Sequence, residues 1–198
     1  KTINLLIKKI KKIISKKITL VILSQVVPGF TEKIIWNKNK LFYQVETLIF
    51  GKAINRALNP SRIIIGSNFK KIKDINIQNP EYVKFLKKFN TNIKLMSYKS
   101  AELAKLSINL FLISSISYAN LMSEICEKIG ANWGDIEEVL RLDDRIGKKA
   151  YIKPGLGIIS GNLQRDLKNI IKIGYKNKIN NSKIFKLFDD YSNQRKKW

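Results

Sequence analysis

The stretch 98–130, YKSAELAKLSINLFLISSISYANLMSEICEKIG, limits what this chain can fold into more than any other. It has no proline and no glycine before its last residue. Its apolar positions, Leu103, Leu106, Leu110, Ile113, Ser117/Tyr118, Leu121, Ile125 and Ile129, recur at helical spacing. Gly130 suits the left-handed residue that closes a helix, with Lys128 in the last turn. At ~1.5 Å per residue such a helix would run roughly 45–50 Å, well beyond the usual three or four turns. Its middle, LSINLFLISSIS, is apolar or small nearly all round, which predicts cover on more than one side. The helix is a spine joining the N-terminal half of the chain to the C-terminal half, and it carries polar residues that a spine does not need.

Before the spine, short apolar runs alternate with helical patterns. Residues 3–14 place Ile3, Leu6, Ile7, Ile10, Ile13 and Ile14 on one helical face with lysines opposite. Such a helix suits either a membrane surface or, since a strand comes next, the cover of an α/β layer. Runs at 17–23 (KITLVIL), 41–45 (LFYQV), 62–66 (RIIIG) and 92–96 (NIKLM) read as strands, the first as one buried on both faces of a sheet. Between them, 31–36, 46–58 and 80–89 read as helices, the last opening on Pro80 at the first helical position. Residues 70–79 read as a polar loop. This alternation predicts βαβ units and a mostly parallel sheet. After the spine, 133–142, 162–173 and 182–195 are helical, and 145–161 is a glycine-containing loop. The expected architecture is therefore α/β over residues 1–97 and all-α over 98–198.

Formal charge is +23, with 38 Lys+Arg against 15 Asp+Glu. Such an excess suggests nucleic acid or an anionic membrane surface. However, only Arg56, Arg62, Arg141, Arg145, Arg165 and Arg195 are arginine, the residue that specific phosphate and base recognition favours. The lysines are spread along the chain among abundant Ile and Asn, as in a general compositional drift. An anionic small-molecule substrate fits the charge as well, so neither nucleic acid nor membrane is the expected partner. One cysteine, Cys126, excludes an intramolecular disulfide framework and fits a cytoplasmic setting. With no histidine there is no Cys/His metal site and no imidazole base, and no metal is expected. No run reaches ~18 apolar residues.

Four stretches offer chemistry. SQVVPGFT (24–31) comes after the first strand, where open α/β sheets bind ligands; an ordinary βα turn would look the same. Glu46 comes after the second strand and is a candidate base or water-orienting group, or else a helix N-terminal charge. Lys105 and Asn109 are i and i+4 on the spine and so share a face. Together they suit stabilisation of an oxyanion, although a snorkelling lysine beside an incidental asparagine is equally compatible. PGLGIISGNLQRDL (154–167) is a glycine loop entering a helix, a place where backbone N–H groups cradle anions, with Asp166 on the new helix.

Taken in order, these pieces resemble the UDP-glucose/GDP-mannose (nucleotide-sugar) dehydrogenase family. SQVVPG matches its Ser-Thr-Val-Pro-Pro-Gly turn. VETL and NPSRIIIG match its Pro-Glu-Phe-Leu and Asn-Pro-x-Arg-Ile-x-x-Gly segments. Glu102-Leu-Ala-Lys105-Leu-Ser-Ile-Asn109 matches Glu-x-x-Lys-x-x-x-Asn, and ANLMSEICEKIGA matches the Cys-Glu stretch. Asp143-Asp-Arg145-Ile-Gly matches Asp-x-Arg-Ile-Gly, and PGLG with Arg165-Asp166 matches the final glycine loop and its Lys-Asp. The match covers nearly all of residues 18–175.

The resemblance implies an oxidoreductase that takes the C6 alcohol of a UDP- or GDP-sugar to a carboxylate with two NAD+, through an aldehyde. It implies the C-terminal part of a Rossmann-like domain joined by the long helix to a helical domain that forms a homodimer. It assigns catalysis to Glu46, Lys105, Asn109 and Asp166. Substrate binding falls to Arg145, Gly155 and Gly157, and cofactor binding to Ser24, Gln25 and Pro28. The family's loop carries a nucleophilic cysteine where this chain has Asn162, which cannot form a thiohemiacetal or thioester. Gln25 stands for the usual Thr, and Phe50 for a usual Glu. The family's Gly-rich dinucleotide fingerprint is expected before residue 1 and its sugar-nucleotide domain after residue 198, so the chain reads as the middle of a longer enzyme. A non-catalytic oligomerisation module of the same descent is the alternative.

Overall fold

The computed structural model describes residues 2–46 and 51–197. It divides into two compact units, Lys1–Lys105 and Leu106–Trp198. The first contains α1 (Thr2–Ile13), β1 (Leu20–Ile22), β2 (Leu41–Gln44), α2 (Ala53–Leu58), β3 (Ile63–Gly66), α3 (Ile72–Gln78), α4 (Pro80–Lys87) and β4 (Ile93–Met96). The helix α5 (Tyr98–Ile129) begins in this unit, and the second adds α6 (Trp133–Leu142), α7 (Gly161–Lys176) and α8 (Lys183–Arg195).

The four strands form one sheet in the order β1-β2-β3-β4. β1 pairs with β2, and β3 with β4, in parallel. Strand side chains alternate between faces, and here both faces are apolar. Leu41, Tyr43 and Ile64 pack with Ile7 of α1 and with Tyr98 and Ala101 at the start of α5. Phe42, Ile63 and Ile65 pack with Ile75 of α3 and with Val83 and Leu86 of α4. α1 is thus the cover of an α/β layer, although Leu6, Ile13 and Ile14 of its expected apolar face are exposed, as is Leu5.

Several expectations change. β2 pairs with β3 antiparallel, and the described part of the segment joining them carries only the short α2, which buries no side chain. Residues 72–78 are helical rather than loop. Lysine and asparagine hid the spacing of Phe69, Ile72 and Ile75, the last fully buried beneath the sheet. β1 is shorter than expected and only half-buried over Leu20 and Val21, as suits the edge of the described sheet. Residues 31–36 form only a three-residue 3-10 turn, Thr31–Lys33. Of the expected helix 46–58, residues 47–50 lie outside the described residues, and with them Phe50.

β3 ends hard against α5. A Cβ on Gly66 would lie 2.9 Å from Ala101 Cβ and 3.1 Å from Tyr98 Cα, so only glycine lets the strand approach this closely. The Tyr98 hydroxyl donates to the Leu41 carbonyl at 2.7 Å. Burial pushes its pKa up to about 12.

At its other end α5 closes with Gly130 at φ +76°, and the Ala131 N–H donates to the Cys126 carbonyl at 2.9 Å, a glycine-closed C-terminus. Asn132 then caps α6 through the Gly134 N–H at 2.8 Å. In the second unit Ala119, Cys126, Trp133 and Ile152 form one core, and Ile113, Ile158 and Leu167 another.

The buried stripe of α5 keeps only Leu106, Ile113 and Ser117 of the positions its apolar spacing picks out. Leu103, Tyr118, Leu121, Ile125 and Ile129 are exposed. The buried positions at helical spacing are Tyr98, Glu102, Leu106, Asn109, Ile113, Ser117 and Asn120. By length and composition α5 could cross a bilayer. Its buried Glu102, Asn109 and Asn120, each hydrogen-bonded within its own unit, are instead the marks of a core helix.

Candidate functional site

In the first unit, the expected site residues gather at one edge of the sheet. β1 and β2 are parallel, with Ile22 opposite Tyr43. Ser24 therefore lies past the C-terminal end of one strand and Glu46 past the C-terminal end of its neighbour. Ser24 is exposed, and Gln25, Pro28 and Glu46 are half-buried. The turn from Ser24 to Thr31 is held by a residue that no motif assigned a role, Glu102 of α5. Its side chain is 1% exposed. One carboxyl oxygen accepts from the Gly29 N–H at 2.5 Å and the other from the Thr31 N–H at 2.7 Å. Gly29 sits at φ +86°, which favours glycine. An exposed ion pair, Lys99 with Glu32 at 2.9 Å, flanks the turn. Lys99 beside Glu32 holds that carboxyl below its ordinary pKa. Lys105 lies one residue short of a helical turn beyond Glu102 and is half-buried.

In the second unit, Asn109 and Asp166 come together. The Asn109 amide donates to the Asp166 carboxyl at 2.5 Å, both groups being buried. Arg165 Nε lies 3.9 Å from the other carboxyl oxygen. Asn162 is exposed at the second residue of α7, one helical turn before Asp166.

The glycine loop that enters α7 is fixed at several points. The Gly155 N–H donates to Asn120 Oδ1 at 2.7 Å, and the Ile158 N–H to Ser192 Oγ at 2.8 Å. Gln164 reaches back to the Ile158 carbonyl at 2.8 Å. Arg195 donates to the Gly155 carbonyl at 3.3 Å and lies 3.6 Å from Glu124, which also accepts from the Tyr191 hydroxyl at 3.0 Å. Gly157 has φ +89°, and a Cβ there would lie 3.0 Å from the Ser192 carbonyl oxygen. The N–H groups of Gly155 and Ile158 therefore serve the loop's own anchorage. Ser192 and Arg195 have no motif signal of their own, and Asn120 lies in the Cys-Glu stretch without a role assigned to it. The one clue was Asn120, a polar residue in an apolar helix.

Arg145 is exposed and folds back on Asp143, with two guanidinium nitrogens 2.9 and 2.6 Å from its carboxyl oxygens. The guanidinium holds the Asp143 carboxyl below its ordinary pKa. Arg145 also borders a groove of about 1040 Å³ lined by Phe111, Tyr118, Leu121, Ile146, Tyr151 and Leu187 among others.

A short sheet with two parallel pairs, then a long helix and a helical unit, is the architecture of known nucleotide-sugar dehydrogenases. The structure of UDP-D-ManNAc dehydrogenase from Pyrococcus horikoshii matches 98% of this chain and 46% of its own, with TM-score 0.78 and 19% identity. That of a UDP-glucose dehydrogenase from Pyrobaculum islandicum matches 89% of this chain and 40% of its own, with TM-score 0.68 and 23% identity. In sequence, UDP-glucose 6-dehydrogenase of Rickettsia prowazekii is 33% identical over 184 residues, covering 89% of this chain and 40% of its own length. That of Campylobacter jejuni is 33% identical over 176 residues, covering 86% and 43%. Residues 99–193 match the model of the UDP-glucose/GDP-mannose dehydrogenase family, central domain. The chain belongs to that family. It spans 40% and 43% of the length of those two relatives.

Proposed function

We propose that this chain is the central portion of an NAD-dependent dehydrogenase that oxidises the C6 alcohol of a UDP- or GDP-sugar in the cytoplasm, for polysaccharide biosynthesis. The observation that carries the reading is the buried Asn109–Asp166 pair. Residues 57 positions apart, drawn from two motifs of the resemblance, meet through a charged-group hydrogen bond inside the second unit.

In this reading Asp166 orients the Asn109 amide, and Asn109 and the Lys105 ammonium stabilise the oxygen that gains negative charge. Glu46 orients water or takes a proton. Arg145 and the loop at Gly155 and Gly157 bind substrate. Ser24, Gln25 and Pro28, on the turn at the C-terminal end of β1, border the dinucleotide. That placement fits the group, since ligands of open α/β sheets bind at these ends. NAD+, when bound, accepts the hydride.

Asn162 lacks the sulfur that a covalent second oxidation needs, so the reaction stops after one hydride transfer. The complete gene product, assayed with UDP- and GDP-sugars, is expected to form one NADH per sugar. Two per sugar would show that the second oxidation proceeds without a thiol at this position, and none with any sugar would contradict the reading.

The groove beside α5 supports a second part of the proposal, a homodimer formed through residues 98–130. Phe111, at 73% exposure, and Leu187, at 65%, leave a large apolar face uncovered. Phe111→Asp is expected to turn a dimer into a monomer in sedimentation; an unchanged mass would exclude this face. The same groove, with Asn162, is what favours the alternative of a non-catalytic oligomerisation module.

A further inference from the structure

We infer that Glu102 is a positioning residue that sets the cofactor-bordering turn at residues 24–31 against the helix carrying Lys105. The inference rests on the dehydrogenase reading and adds to it a residue that contacts neither cofactor nor substrate.

Glu102 is a buried carboxyl in an otherwise apolar layer, a costly placement unless its oxygens are satisfied. Both are, by main-chain donors of one turn, Gly29 at 2.5 Å and Thr31 at 2.7 Å. The turn contains no regular strand or helix between Leu23 and Phe30, and Gly29 at φ +86° leaves the backbone adaptable. Its own main chain contributes the Phe30 N–H donating to the Val27 carbonyl at 3.1 Å, which shapes the turn but does not place it. The two bonds to Glu102 tie it to α5. That side chain stands three residues before Lys105, so the turn and the Lys105 backbone share one rigid support.

Glutamine is the isosteric break. It keeps one accepting oxygen and replaces the other with an NH2 that faces an N–H donor. The test uses the complete gene product and reads both amide hydrogen exchange and kinetics. In Glu102→Gln, exchange at Gly29 and Thr31 is expected to quicken by about tenfold or more, as loss of a hydrogen bond to a charged group implies. Exchange at Ile65 in the core should change only by the fall in global stability, which urea unfolding measures separately. KM for NAD+ should rise by about tenfold while kcat changes less, as loss of a placed binding surface implies.

Gly29→Ala perturbs the same turn through its backbone and leaves Glu102 intact. Its Cβ would meet only Lys99 Cε at 3.6 Å, so the chain should fold, with a smaller rise in KM in the same direction. Unchanged exchange at Gly29 and Thr31 in Glu102→Gln overturns the inference. So does quickened exchange with KM unchanged in both variants. A wild-type protein that gives no signal with NAD+, while Glu102→Gln still loosens the turn, contradicts the dehydrogenase reading and reduces Glu102 to a structural hold.

Discussion

The two loops that bear on the proposed site are held in opposite ways. The turn after β1 packs Val26 and Phe30 on the core, but two of its main-chain N–H groups, those of Gly29 and Thr31, rest on one buried side chain, Glu102. The glycine loop before α7 is tied by Asn120, Ser192, Gln164 and Arg195, which come from three helices. A hold concentrated in one carboxyl can be lost in one substitution. A hold shared among neutral groups and one guanidinium should degrade in steps. The first arrangement suits a turn that must be placed and the second a loop that must be rigid.

The largest expected effect is therefore Glu102→Gln, at about 3 kcal/mol, because one hydrogen bond to a buried charged group is lost, an NH2 is left facing a donor, and the other bond loses its charge assistance. Gly157→Ala should come next at about 2 kcal/mol, since the alanine must adopt a positive φ and crowd the Ser192 backbone. Asn120→Ala leaves the Gly155 N–H without its acceptor and should cost about 1–2 kcal/mol. Ser192→Ala should cost about 1 kcal/mol or less. Urea unfolding of each variant checks the order. If Ser192→Ala costs as much as Glu102→Gln, the contrast between a single and a shared hold is broken.

The smallest effect is a pH dependence that both units share. Burial pushes the hydroxyls of Tyr98 and Tyr191 up to about 12, with the Glu124 hydrogen bond adding to the shift at Tyr191. The unfolded chain releases these protons near the ordinary value of about 10, before the folded chain does. Each tyrosine's contribution is thus fully present below pH ~10 and is lost as pH rises towards ~12. Tyr98→Phe and Tyr191→Phe should each flatten the alkaline fall in stability between those values, and an unchanged slope in both would contradict the assignment.

Much of the fold was legible in the residues. Apolar runs, the proline at the start of α4 and the unbroken pattern of α5 carry their own local signals. α3 was not legible, because its apolar residues are few and set among Lys and Asn. Nor was the antiparallel β2–β3 pair, since neither strand's own residues encode the direction of its neighbour. Of the candidate site, the residues that carry an assigned role were visible, and Glu102 and Asn120 stood in the matched motifs, but what they support was not visible. Glu102 lies 73 positions from Gly29 and Asn120 lies 35 from Gly155, and no local spacing encodes such pairings. The buried stripe of α5 is hidden for the same reason. Its polar members look like surface residues until their partners arrive.

The measurement that bears most directly on the central claim compares NADH formation by the complete gene product and its Lys105→Ala variant across UDP- and GDP-sugars, with sedimentation run alongside. Wild type is predicted to turn over at least one sugar. Lys105→Ala is predicted to lose about 10²–10³-fold or more in kcat, as removal of an oxyanion-stabilising group does, with the sedimentation of the wild type unchanged. Wild-type turnover in Lys105→Ala would contradict the claim.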